Sequence, residues 1–152
     1  HVMRGPDSGM TAEESAESYA AELRKAARPE DHGPVPSFDV MLLGMGPDAH
    51  VASLFPGMPA LYDTRSVVAV HGAPKPPPTR ISLTLPAIQA SREVWVVAAG
   101  EEKSGAVRLA LSDSGHVQVP ASGARGRART LFLLDRAAAS KIPPELGRIS
   151  SP

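Results

Sequence analysis

Apolar and polar positions alternate along the chain in short blocks, each with its own period. Thr11-Ala12-Glu13-Glu14 places a helix-capping threonine three residues before a glutamate, the reciprocal pattern of a helix start. Ala16, Tyr19, Ala20, Leu23 and Ala27 then recur near helical spacing, which predicts a helix over about residues 12–27 that Pro29 ends. Residues 30–36 read as a loop. The run Phe38-Asp39-Val40-Met41-Leu42-Leu43 hardly alternates, so residues 38–43 predict a strand buried on both faces, inside a sheet. Residues 66–70 predict a second strand, and 72–79, GAPKPPPT, a stiff proline-rich loop. Residues 80–85 predict a strand or a sheet edge leading into a short helix at 86–90. Val94-Trp95-Val96-Val97-Ala98 is a third strong strand pattern, broken by Gly100 and followed by a helix over 102–111. Residues 130–134 predict the last strand, with a helical turn at 136–140.

Strands that alternate with helices imply an α/β fold, an open and largely parallel sheet flanked by helices. No internal repeat and no second domain is visible. In such sheets ligands gather beyond the carboxyl ends of the strands. Two of those ends carry polar chemistry: residues 44–50 after one strand and 100–103 after another.

Composition narrows the function. A chain of 152 residues, 42% hydrophobic and 21% charged, suffices for one soluble domain with a core. Sixteen Lys plus Arg balance sixteen Asp plus Glu, against the basic excess of a nucleic-acid binder. With no cysteine, disulfides, thiol nucleophiles and thiolate metal sites are excluded. The histidines at 1, 32, 50, 71 and 116 are scattered, with no H-E-x-x-H or H-x-H, so no metal site is expected. No apolar run approaches a membrane span and no signal-peptide pattern is present, so a cytoplasmic setting without membrane partners is expected.

Within "LLGMGPDAHVASLFPG", residues 42–57, Asp48 and His50 stand two residues apart just past the glycines Gly44 and Gly46. Histidine with an ordinary pKa of about 6.5 is largely an available base near neutrality. An adjacent carboxylate fixes its tautomer and stabilises the imidazolium. The two glycines let backbone approach a substrate closely. The bland alternative is a capping aspartate beside a surface histidine. Ser53 lacks the G-x-S-x-G frame of a nucleophile elbow and reads as structural. Lys75, Arg80 and Lys103 are the cationic candidates. Lys103 opens a predicted helix, where a bound anion would relieve its conflict with the helix dipole. Arg125, Arg127 and Arg129 read as a solvated or structural cluster in a glycine-containing loop.

Three blocks in order, "FDVMLLGMGPDAHVASLFPG", "PKPPPTRISLTLPAI" and "EVWVVAAGEEKSGAV", closed by "GRARTLFLLD", resemble the 6-phosphogluconolactonase family. Glucosamine-6-phosphate deaminases are its broader relatives, but the SLFPG and KPPP stretches are similar to the lactonase side. The resemblance implies the open sheet of the deaminase and ribose-phosphate-isomerase type. It implies hydrolysis of 6-phosphogluconolactone to 6-phosphogluconate in the oxidative pentose phosphate pathway, with no metal or organic cofactor. On it, His50 matches the proposed general base, Asp48 its neighbouring acid, and Lys103 a lysine that faces the sugar phosphate. Lys75 and Arg80 fall on motif positions and, with Gly44 and Gly46 of the close-approach loop, count as substrate-binding.

Two departures stand out. Ala49 occupies a position where the family usually has glycine, and a positive φ there would strain the loop by roughly 1 kcal/mol. The resemblance also reaches only the C-terminal portion of a family member, so residues 1–152 are expected to be part of one domain that lacks its N-terminal strands and phosphate loop. A missing N-terminal segment is then the expected partner. Two other functions remain: an amino-sugar-phosphate isomerase or deaminase, which needs a further acid where this chain has Ser53 and Leu54, and a non-catalytic fragment.

Overall fold

The computed structural model describes residues 1–146. Helix α1 (Ala12–Ala26) starts at the capping box: Glu14 N–H donates to Thr11 Oγ1 at 3.1 Å and Thr11 N–H to Glu14 Oε2 at 2.9 Å. Ala27 and Arg28 are both extended, Arg28 as the Pro29 that follows it requires. Strand β1 (Val40–Gly44) follows, then β2 (Val67–Val70) and β3 (Arg80–Leu83). Helix α2 (Leu85–Gln89), strand β4 (Glu93–Ala98), helices α3 (Ser104–Leu111) and α4 (Pro120–Gly123), and strand β5 (Arg129–Leu134) complete the order.

The sheet β1-β4-β5 is wholly parallel, with Leu43 beside Val96 and Val96 beside Phe132. β2 and β3 form a separate antiparallel ribbon. Sequence patterning placed them in the same layered scheme without distinguishing them. The reason for their pairing is the connection: residues 71–79 contain no helix to carry the chain back for a parallel crossover. α4 has no counterpart among the predicted elements, because Pro-Ala-Ser-Gly reads as a loop. Its proline takes the first helical turn, where no N–H is needed.

One core lies on one face of the parallel sheet. Val94, Val96 and Val107 are wholly buried there with Ile88, Val51 and Leu54. Each such side chain contributes roughly 1.5–3 kcal/mol. A second cluster joins α1, through Ala16, Ala20 and Leu23, to Val67 of the ribbon.

The expectation of a doubly buried strand at 38–43 needs correction. β1 is an edge of the described sheet, bonded only to β4. Its inward residue Leu43 is 8% exposed, while outward-facing Val40 and Leu42 are 40% and 64% exposed. In register with Leu42 lie Trp95 and Leu131, and Val97 (45%) and Leu133 (41%) extend the same open surface. The unbroken apolar run fits burial on two sides, yet among the described residues only one side is covered.

Candidate active site

β1 runs out at Gly44, and the chain reverses at once. Met45 bridges Val51, Gly46 N–H donates to the His50 carbonyl at 2.9 Å, and Ala49 N–H to the Gly46 carbonyl at 3.0 Å. The loop Gly46-Pro47-Asp48-Ala49 is thus a tight turn closed by a left-handed residue, Ala49 at φ +65°. Pro47 suits the turn because its ring presets φ. Ala49 bears the strain, and its methyl group is only 2% exposed in the main core.

This turn puts Asp48 and His50 side by side. His50 Nδ1 lies 2.6 Å from Asp48 Oδ1, and His50 N–H donates to the same oxygen at 3.3 Å. Partial burial pushes the Asp48 carboxyl up, but the bonds from the His50 ring and backbone outweigh it and hold the carboxyl below its ordinary range. With Asp48 ionised, the ring proton sits on Nδ1, and Nε2 is left as a proton acceptor. The imidazole packs on Phe55, centroid to centroid at 4.5 Å with 35° between planes. Gly46 is required by the pair itself: a Cβ there would come within 2.6 Å of Asp48 Oδ1 and closer still to His50 Nδ1 and Cε1. The substrate-approach reading of Gly46 therefore has a second reason beside it, inside the protein.

A cleft of about 500 Å³ opens over this turn, lined among others by Gly44, Gly46, His50, Lys75 and Lys103. Residues far apart in sequence thus meet where the parallel strands end, and Asp48 joins them through the His50 ring. Arg80 does not line the cleft. Its Nη2 donates to the carbonyls of Lys75 (2.8 Å) and Pro76 (3.0 Å), and its Nε to that of Pro77 (3.0 Å). The proline-rich stretch is a closed loop, with Ala73 N–H on the Pro78 carbonyl at 2.9 Å.

Lys103 ends the short 3-10 turn Glu101–Lys103 that precedes α3. Gly100 starts this turn at φ +96°, and its N–H donates to both Asp135 oxygens at 3.1 and 3.2 Å. Asp135 also accepts from Ala138 N–H at 2.7 Å. Asp135 and Phe55 are the two site-building residues that sequence reading passed over. Asp135 carried a signal, an acid between a strand and an alanine-rich turn; Phe55 carried none, since only the folded chain brings it to His50. Ser53, read as structural from the sequence, is buried, with its backbone N–H donating to Ser82 Oγ at 3.0 Å. Among the described residues no three His, Asp or Glu side chains cluster to hold a metal ion, and no helix is long and apolar enough to cross a membrane.

Fold and site together define an α/β protein with a carboxylate-supported imidazole and two lysines at the carboxyl ends of its parallel strands. The family described as glucosamine-6-phosphate isomerases/6-phosphogluconolactonase matches residues 1–133. The chain belongs to that family. It is 61% identical to the 6-phosphogluconolactonase of Streptomyces coelicolor, over 96% of this chain and 57% of that protein. It is 54% identical to the one of Mycobacterium tuberculosis, over 90% of this chain and 55% of that protein. A solved structure of 6-phosphogluconolactonase from Trypanosoma brucei superposes with a TM-score of 0.71 at 35% identity, over 85% of this chain and 53% of that one. The chain thus spans about half the length of the curated relatives it matches.

Proposed function

We propose that the protein carrying this chain hydrolyses 6-phosphogluconolactone to 6-phosphogluconate in the cytoplasm, with His50 as general base. The observation that carries this reading is the 2.6 Å contact of His50 Nδ1 with Asp48 in a cleft that also holds Lys75 and Lys103. A lactone is an activated ester, so water can attack C1 without a covalent enzyme intermediate. His50 Nε2 takes the water's proton as the new C–O bond forms, and Asp48 stabilises the resulting imidazolium. The bond from C1 to the ring oxygen then breaks, and that oxygen receives the proton. Lys75 and Lys103 hold the phosphate and fix C1 against the attacking water. Gly44 lets the substrate come close to the end of β1. No step calls for a metal or an organic cofactor, and no nucleic acid takes part.

The open apolar face fits the same reading. Residues 1–152 act as the C-terminal portion of one domain, and the remaining length seen in the relatives covers Leu42, Val97 and Leu133 and completes the pocket.

The test is His50→Ala in the complete protein. Turnover of 6-phosphogluconolactone falls by at least about a hundredfold with the fold retained. Near-wild-type turnover removes His50 from the mechanism. Release of ammonia from glucosamine 6-phosphate by the wild-type protein would point instead to the deaminase side of the family.

A further inference from the structure

We propose that Arg80 is a positioning residue that holds the Lys75 loop over the cleft, and that it is not itself a ligand of the substrate phosphate. The inference rests on the lactonase reading above for its kinetic consequence only.

Three consecutive prolines, Pro76 to Pro78, remove three N–H donors that could tie the loop down, and the Ala73 amide on the Pro78 carbonyl is left to close it. The carbonyls of Lys75, Pro76 and Pro77 need a donor from elsewhere, and the Arg80 guanidinium supplies all three bonds at 2.8–3.0 Å. A planar fork with five N–H groups can span three carbonyls; a lysine ammonium, a point charge on a flexible stem, cannot match that geometry. Arg80 has no carboxylate partner among the described residues. Its guanidinium is committed to carbonyls and to the Phe55 ring, 5.3 Å away.

Phe55, 1% exposed, also carries the His50 imidazole at 4.5 Å. One buried ring therefore supports both the base and the arginine that fixes the lysine loop. The cleft receives Lys75 while Arg80 stays outside its lining. A cation at a motif position thus acts on the substrate through the residue five places before it.

The test is a double-mutant cycle on the complete protein, with 6-phosphogluconolactone as substrate. Lys75→Ala and Arg80→Ala each raise KM about tenfold, keep kcat within about threefold, and leave the pH profile in place. The double variant is no worse than about twofold beyond Lys75→Ala alone. Arg80→Lys keeps the charge yet recovers nothing. Multiplying losses in the double variant, or a normal KM in Arg80→Lys, would overturn the proposal and make Arg80 a direct ligand.

A second measurement needs no substrate. The Ala73 amide, which closes the loop on Pro78, exchanges with solvent at least about tenfold faster in Arg80→Ala and in Arg80→Lys, while amides of β4 do not change. Unchanged Ala73 exchange in both variants overturns the positioning role. A wild-type protein that fails to hydrolyse the lactone removes the lactonase reading and leaves the exchange result to stand alone.

Discussion

Replacing Gly46 by alanine should disable the site without touching any group that does chemistry. A Cβ built at Gly46 lies 2.6 Å from Asp48 Oδ1 and nearer still to two atoms of the His50 ring, where carbon normally keeps about 3.5–4.0 Å from non-bonded neighbours. The ring must therefore move by about 1 Å, or the turn must open. The ring is held by Phe55 on its face and by Asp48 at Nδ1, so movement breaks the 2.6 Å contact. A displacement of that size in a catalytic group costs about a hundredfold in rate. The stability cost is smaller, about 1 kcal/mol, because the pair is partly open to solvent. The assay is turnover of 6-phosphogluconolactone by the complete protein, with circular dichroism as the check on folding. Gly46→Ala is expected to be nearly as slow as His50→Ala, and combining the two should cost little more. A Cβ at Gly44 meets nothing within 4 Å, so Gly44→Ala should leave the Asp48–His50 contact unchanged. A Gly46→Ala protein within about threefold of wild type would refute the reasoning.

Other outcomes follow from the same geometry. Ala49→Gly relieves a φ of +65° worth about 1 kcal/mol but removes a buried methyl worth about 0.8 kcal/mol and loosens the unfolded chain, so thermal unfolding should show little net gain; a gain of the full strain, about 1 kcal/mol, would mean that neither the methyl nor the unfolded chain offsets it. Lys103→Ala should weaken calorimetric affinity for 6-phosphogluconate more than for gluconate, and equal losses would deny it a phosphate contact. Because the folded Asp48 carboxyl titrates below its ordinary value of about 3.9, its contribution to stability is complete above that pH and is lost as pH falls through the lower folded value; Asp48→Asn should flatten this acid limb of an unfolding profile and lower stability across pH 6–8 by an amount that does not vary with pH. Residues 1–152 expressed alone should associate through the open face of Leu42, Val97 and Leu133, hydrolyse little lactone, and recover on co-expression with an N-terminal half. A monodisperse, fully active monomer in light scattering would contradict this.

Elements set by local chemistry were legible in the sequence. The capping box at Thr11 and Glu14 placed α1 to within a residue, and the apolar runs ending at Ala98 and Leu134 placed β4 and β5. Partnership was not legible. Val67–Val70 and Arg80–Leu83 have ordinary strand composition, and nothing local says that they pair with each other apart from the main sheet. The run at 38–43 carries the period of a doubly covered strand; what covers each side is a property of the rest of the fold, and among the described residues one side of β1 is open.

The site divides along the same line. Asp48 and His50 are two residues apart, and a tight turn suffices to join them, so "GPDAH" encodes the imidazole and its carboxylate partner in five consecutive residues. That is why an acid and an imidazole stand where the strand runs out: the reversal after β1 brings the Asp48 oxygen and the ring together, and Gly46 makes room for both. The cationic half has no such local code. Lys75 reaches the cleft from a loop tied by Arg80, and Lys103 from a turn whose first amide is held by Asp135, 35 residues away in sequence. Positive charge at a motif position does not by itself say which cation faces the cleft: Lys75 lines it, while Arg80, five residues on, spends its donors on carbonyls. A sequence exposes groups whose partners are neighbours in the chain, and conceals those whose partners arrive through the fold.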